Sequence, residues 1–344
     1  MSRSGGDRRF GRRSRPVQVS LAGAGYIAVV HALAAQSAGM QVRAVASNGG
    51  TSARHLAGGI DARRVRPDQL PDGAGVLIVA TPPGSHEELT LQGLSAGARV
   101  LVEKPLTTTL ASADRMVRAA EGTTARCAEN LLHAPVWKEF RRLRPGLGAL
   151  QHLSLRTLQP PPDWGHLART LPNGGVLFDL GPHPIALALD AAGEIPAGVR
   201  GELSSTRDDG ADDAAAVHLD FPSGLVAELR VSWTASEPEW SVQAASPRGV
   251  LRVELLPEVV LEHDGEPIAV GSRHRVPDPR LEQMGYVDQL LDLVAGRPGQ
   301  DLHAAREVLD VICGAYASAG SDGERVPLPF GGDRRLTPRE LWGR

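Results

Sequence analysis

Through roughly the first 130 residues, apolar runs of strand length alternate with helix-length stretches, the pattern of a parallel sheet flanked by helices. Residues 17–22, 41–46, 75–80, 99–103 and 124–128 read as strands, and residues 26–37, 85–96 and 109–121 as helices. Pro82-Pro83 and Pro105 close two of the strands, because proline removes a ladder donor. Beyond about residue 150 the pattern changes to closely spaced short strands at 150–158, 214–221, 225–234, 241–245 and 249–255, which predicts an antiparallel sheet. Pro222-Ser223-Gly224 supplies a tight hairpin connection, and residues 177–191 a helix to cover one face. Two closing helices, at 281–294 and 304–319, complete an α+β unit. The predicted organisation is a basic, disordered arm over 1–16, a Rossmann dinucleotide-binding domain over 17–133, and an α+β substrate and oligomerisation domain over 134–344.

The first predicted strand runs directly into Gly23-Ala24-Gly25-Tyr26-Ile27-Ala28, a GxGxxA sequence that opens the first helix. Gly23 permits the tight turn, Gly25 lets a pyrophosphate approach the backbone, and Ala28 keeps the helix near the sheet. The free N–H groups of the helix start, around Tyr26 and Ile27, are suited to phosphate. No acidic residue stands at the end of the second strand, where one would hold the ribose hydroxyls of NAD. Ser47, Asn48 and Arg54 are there instead, so NADP is favoured mildly over NAD.

The bulk chemistry fits an enzyme of this kind. A formal charge of −3 gives no general attraction to nucleic acid or anionic lipid. Cys127 and Cys313 form no CxxC pair, no apolar run reaches the roughly 18 residues of a membrane span, and His86-Glu87-Glu88 lacks the HExxH spacing for zinc. A cytoplasmic location and no metal follow as expectations. The arm carries Arg3, Arg8, Arg9, Arg12, Arg13 and Arg15 against Asp7. It reads as a solvated tail rather than an export signal, since the apolar stretch behind it contains the glycine loop.

Three further segments complete the picture: Ala80-Thr81-Pro82-Pro83-Gly84-Ser85-His86 at the end of the strand over 75–80, Glu103-Lys104-Pro105 ending the strand over 99–103, and Gly174-Gly175-Val176-Leu177-Phe178-Asp179-Leu180-Gly181-Pro182-His183 in the second domain. Together with the glycine loop, this set resembles the Gfo/Idh/MocA oxidoreductases, from about Val17 to Pro329. The resemblance implies a Rossmann domain followed by an open-faced sheet that pairs with another subunit, as a homodimer or homotetramer. It also implies that Lys104, Asp179 and His183 surround nicotinamide and substrate, and that Pro105 follows a cis peptide bond.

The residues themselves support this reading. Only two of the 37 basic residues are lysines, Lys104 and Lys138. A lysine can join proton transfer near neutrality, which an arginine cannot. Asp179 and His183 are spaced i, i+4 and share a face if the segment is helical; His183 is then the acid–base group and Asp179 orients the substrate or favours the imidazolium. Thr81, Pro82, His86 and Glu103 border the cofactor. Asn130 and His133 line the substrate pocket, joined by Trp164, His166, Arg169 and Asn173. His31, on the first helix, reads as packed rather than catalytic. The expected reaction is interconversion of a secondary alcohol and a ketone on a sugar, sugar derivative or cyclitol, by hydride transfer. Two alternatives share the fold: an NAD-dependent glycosidase without net redox, and a non-catalytic dinucleotide-binding regulator.

Overall fold

The computed structural model describes residues 15–47, 50–71, 73, 75–162, 171–274 and 276–343. Six strands form a parallel sheet: β1 (Gln18–Ala22), β2 (Gln41–Ala46), β3 (Arg63–Val65), β4 (Val76–Val79), β5 (Arg99–Val102) and β6 (Ala125–Cys127). Their order, β3-β2-β1-β4-β5-β6, reverses direction between β1 and β4, which opens a crevice at the strands' C-terminal ends. Helices α1 (Tyr26–Ser37), α2 (Gly50–Gly59), α3 (His86–Ser95) and α4 (Leu110–Ala119) connect the strands. β4 is buried at every position, as a strand covered on both faces must be.

Helix α5 (Pro135–Leu143) leads into the second sheet, built from β7 (His152–Leu158), β8 (Gly198–Ser204), β9 (Ala214–Asp220), β10 (Val226–Ser232), β11 (Glu239–Ser246), β12 (Gly249–Leu256), β13 (Val260–His263), β14 (Glu266–Pro267) and β15 (Val326–Pro327). All neighbouring pairs are antiparallel except β7 and β10 at its centre. The Pro222-Ser223-Gly224 turn joins β9 to β10 as expected, with Gly224 at φ 87°. The anticipated helix at 177–191 is divided into α6 (Val176–Asp179) and α7 (Pro182–Ala192). The helix at 281–294 is likewise divided into α8 (Pro279–Gln283) and α9 (Tyr286–Val294), with Gly285 at φ 82° between them.

These closing helices do not all belong to the α+β unit. Leu281, Val287, Leu290 and Leu293 of α8 and α9 share a core with Ala28, Ala32 and Ala35 of α1, because the small alanine side chains leave room for a second helix. Two further helices, α10 (Leu302–Ala319) and α11 (Pro338–Trp342), end the chain. α10 lies on β8 so closely that a Cβ at Gly201 would fall 2.3 Å from the Ala315 carbonyl oxygen. Among the described residues no helix is long and apolar enough to cross a membrane.

Gly201→Ala should therefore lower the urea midpoint of unfolding by the equivalent of roughly 1–3 kcal/mol, the usual cost of overpacking. An unchanged midpoint would mean that α10 can ride away from the sheet.

Candidate functional site

A cleft of about 1550 Å³ opens at the C-terminal ends of the parallel strands and extends to the second sheet. Its first wall is the glycine loop. Gly23 sits at φ 111°, and a Cβ there would meet the Ala80 carbonyl oxygen at 2.2 Å, so the turn between β1 and α1 admits only glycine. A Cβ at Gly25 would meet nothing within 4 Å, and no side chain caps α1. The N-terminal turn of α1 thus borders open space without a side-chain cap, as binding a dinucleotide pyrophosphate requires. Tyr26, Ile27, Ser47, Thr81 and Pro82 line the same cleft. Ala28 is fully buried and packs the helix on the sheet.

Lys104 follows β5, and its peptide bond to Pro105 is cis. The Lys104 Nζ donates to the Asp179 carbonyl oxygen at 2.8 Å and to Asp179 Oδ1 at 3.3 Å, bridging the two domains. Burial lowers the ammonium's pKa, but Asp179, Glu103 and Glu129 around it reverse the effect, leaving it above the usual lysine value. The three carboxylates therefore favour the ammonium form of Lys104.

Asp179 and His183 both line the cleft, and a buried anchor presents them there. The Asp212 carboxylate accepts hydrogen bonds from the backbone N–H of Gly175 (2.7 Å) and Leu177 (2.8 Å) and from the Tyr316 hydroxyl (2.5 Å). A Cβ at Gly175 would come within 1.9 Å of the Asp212 carbonyl oxygen, and one at Gly174 would strike Phe178 and Tyr316. The paired glycines exist because this segment is pressed onto its anchor. His183 Nδ1 lies 2.7 Å from Glu129 Oε1, and its ring is 5.4 Å from Trp240 of β11. Its carboxylate partner is thus Glu129 and not Asp179, which is engaged by Lys104.

Several other expectations need correction. Glu103 borders the cleft, but its carboxylate is turned to His31 Nε2 at 2.6 Å, so it is tied to a buried histidine rather than free as an acceptor. His86 lies beneath the wall: its ring nitrogens are 2.7 Å from the Thr81 carbonyl oxygen and 3.2 Å from those of Pro105 and Leu106, joining two loops. Asn130 does not reach the cleft, since its amide donates to the Met284 carbonyl oxygen at 2.7 Å. His133 points the other way, with Nδ1 2.6 Å from Asp292. Arg54 lies on the exposed face of α2, away from the cleft. Asn173 does line the cleft. Asn48, Trp164, His166, Arg169 and the arm up to Ser14 lie outside the described residues.

Glu129, Trp240, Tyr286 and Arg64 were not singled out in the sequence. Tyr286 comes from α9 and stands edge-on to His31, with ring centroids 5.8 Å apart. Arg64 lies on β3, a three-residue strand without a buried position. Only the identity of Glu129, an acid directly after a strand of the parallel sheet, offered any signal.

The sheet order, the glycine loop and this cleft define an oxidoreductase that uses a nicotinamide dinucleotide, NAD or NADP. The chain belongs to the Gfo/Idh/MocA oxidoreductase family: residues 17–131 match its NAD-binding Rossmann fold and residues 145–252 its C-terminal domain. A relative from Amycolatopsis mediterranei (strain S699), whose name proposes it as a UDP-kanosamine synthase oxidoreductase subunit, is 28% identical over 74% of this chain and 81% of its own length. The dTDP-3,4-didehydro-2,6-dideoxy-alpha-D-glucose 3-reductase of Saccharopolyspora spinosa is 31% identical over 62% of this chain and 68% of its own. The crystal structure of GenD2 from gentamicin A biosynthesis, in complex with NAD, aligns with a TM-score of 0.80 at 25% identity, covering 94% of this chain and 99% of that one.

The second titratable cluster, around His133, is structural. Lys138 Nζ lies 2.7 Å from Asp288 and 3.3 Å from Asp292, and Arg297 Nε lies 2.6 Å from Asp292. Partial burial raises the pKa of both carboxyls. The hydrogen bonds from Lys138 and His274 to Asp288, and from His133 and Arg297 to Asp292, outweigh it and hold both below the ordinary value. Their stabilisation is present above the unfolded carboxyl pKa, about 4, and is lost as pH falls through the folded values. Lys138→Met should cost roughly 1–3 kcal/mol at pH 7, less than for a fully buried pair, because the ammonium is 22% exposed. Urea titrations should show that penalty shrinking below pH 4, and a penalty independent of pH would contradict this account.

Proposed function

We propose that the chain interconverts a secondary alcohol and a ketone on a sugar, sugar derivative or cyclitol, with residues 17–133 holding the cofactor and 134–344 shaping the substrate site. The observation that carries this reading is the convergence of Lys104, Asp179 and His183, from two domains, on one cleft that begins at an open dinucleotide loop. The names of the relatives support the substrate class: a reductase of a dTDP-linked deoxyglucose and the inositol 2-dehydrogenase 4 of Saccharopolyspora erythraea, 29% identical over 43% of this chain and 48% of its own.

When bound, the nicotinamide supplies the hydride acceptor or donor. Gly23, Gly25, Tyr26 and Ile27 would hold the pyrophosphate, and Ser47, Thr81 and Pro82 would flank the rest of the dinucleotide. Lys104, kept cationic by its carboxylate neighbours, holds the reacting oxygen and stabilises negative charge as it develops. Asp179 fixes the ammonium in place. His183 takes the hydroxyl proton during oxidation and returns it during reduction. Leu171, Pro172, Asn173, Phe178 and Trp240 line the remaining wall, where apolar surface and one amide suit a polyol ring. A homodimer or homotetramer formed through the open face of the nine-stranded sheet belongs to the same reading.

NADP is favoured over NAD. The end of β2 carries Ser47 and no acid, while Arg64 lines the cleft on the adjoining strand and its side chain makes no hydrogen bond or ion pair among the described residues. Asp68, an acid that lines the same cleft, is engaged by Arg66 at 3.0 and 3.2 Å.

A panel of sugars and cyclitols, followed by absorbance of the reduced cofactor, should give net turnover. His183→Ala should reduce it at least 100-fold, a typical acid–base contribution, with cofactor affinity retained. Cleavage of glycosides without net redox, or silence across the panel, would overturn the assignment. Fluorescence titration should show NADPH binding more tightly than NADH, and Arg64→Ala should weaken NADPH about tenfold while sparing NADH. Tighter binding of NADH would remove the preference.

A further inference from the structure

The acid–base role of His183 leaves open how an imidazole with two nitrogens presents the correct one. We propose that Glu129 is the positioning residue for His183, fixing the tautomer protonated on Nδ1 and holding Nε2 as the lone-pair nitrogen facing the cleft; this rests on the acid–base reading above.

Glu129 lies two residues beyond Cys127, the last ladder residue of β6, and is 1% exposed. The 2.7 Å contact runs between its Oε1 and His183 Nδ1. An ionised carboxylate only accepts hydrogen bonds, so the contact requires the proton on Nδ1. A neutral imidazole has one N–H, and Nε2 is therefore left with its lone pair. Nε2 makes no hydrogen bond to any described residue, and His183 lines the cleft. The charged groups around the ring are Glu129, with Asp179 and Lys104 on the adjoining walls, and Trp240 covers it from the second sheet.

A second element, α9, reaches the backbone of Glu129. With the Gln289 amide turned carbonyl inward, its oxygen accepts from the backbone N–H of Glu129 and of Asn130, both at 3.2 Å. Gln289 belongs to α9, so the returning C-terminal helix holds the carboxylate's backbone. The His31–Glu103 pair provides an internal contrast. Its contact of 2.6 Å has the same chemistry, but the remaining nitrogen, His31 Nδ1, is buried without a partner and reaches no cleft. Of these two pairs, only His183–Glu129 leaves a nitrogen open to a ligand.

During oxidation the substrate O–H proton passes to Nε2, and the electron pair of the C–H bond leaves with the hydride. The Nδ1–H remains donated to Glu129 throughout, and the carboxylate balances the positive charge that the ring acquires. During reduction the same proton returns to the oxygen.

The test uses full-length protein labelled with ¹⁵N-histidine, without substrate, at a pH where the ring is neutral. Its long-range ¹⁵N–¹H spectrum is assigned by loss of signals in His183→Gln. We expect Nδ1 to resonate as a protonated nitrogen and Nε2 as an unprotonated one. In Glu129→Leu this ordering should be lost and kcat should fall at least 100-fold, with cofactor Kd within about twofold as evidence of an intact fold. Glu129→Gln keeps an acceptor but loses the charge, and should retain the tautomer while lowering kcat about tenfold with little change in KM. A proton on Nε2 in the unmodified protein, or wild-type kcat in Glu129→Gln, would overturn the proposal. The ordered tautomer in a protein that turns over no sugar or cyclitol would instead leave the positioning role standing and sink the proposed reaction.

Discussion

Lys104 reaches from the end of β5 to the carbonyl and carboxylate of Asp179 in the other domain, and the rest of the cleft is organised around this clasp. An ammonium taken from water needs anionic partners, and three carboxylates stand around this one: Asp179, Glu103 and Glu129. Each of the three has a separate mounting. Asp179 rides on a segment anchored by Asp212, Glu103 is tied to His31, and Glu129 faces His183. The site's electrostatics thus require the two domains to be docked, and neither domain carries the arrangement alone.

Pairing of histidine with carboxylate recurs in different settings. His31–Glu103 is sealed beneath the cleft, His133–Asp292 belongs to a partly exposed ionic network with Lys138 and Arg297, and His183–Glu129 opens onto the cleft. The three contacts are nearly equal in length, between 2.6 and 2.7 Å. What separates them is surroundings: His31 is closed off, His133–Asp292 shares its carboxylate with Lys138 and Arg297, and His183 alone of the three histidines lines the cleft that begins at the glycine loop.

Helix α9 also has a wider role than its place near the end of the chain suggests. It completes the packing of α1, contributes Tyr286 to the cleft wall and supports Glu129 through Gln289. The nucleotide-binding half is therefore finished by residues more than 150 positions beyond it, which couples folding of the cofactor site to the whole chain.

Features that depend on local backbone geometry are legible in the amino-acid order. Gly23 reads as a tight turn and Lys104 as lying just past β5, because both follow from nearby chain constraints; the single helix expected to carry Asp179 and His183 is divided instead, and His183 meets Glu129. Most strands are legible as short apolar runs bounded by glycine or proline. Only the tertiary structure decided which carboxylate meets which base. Asp179 and Glu129 are both near His183, one in sequence and one in space, and a contact spanning 54 residues leaves no periodic trace. Arg64 was hidden because β3 buries no residue, while Asn130 and His133 seemed to face the pocket because a position after a strand fixes a location without fixing a side chain's direction. Direction is set by packing, and packing is a property of the folded chain.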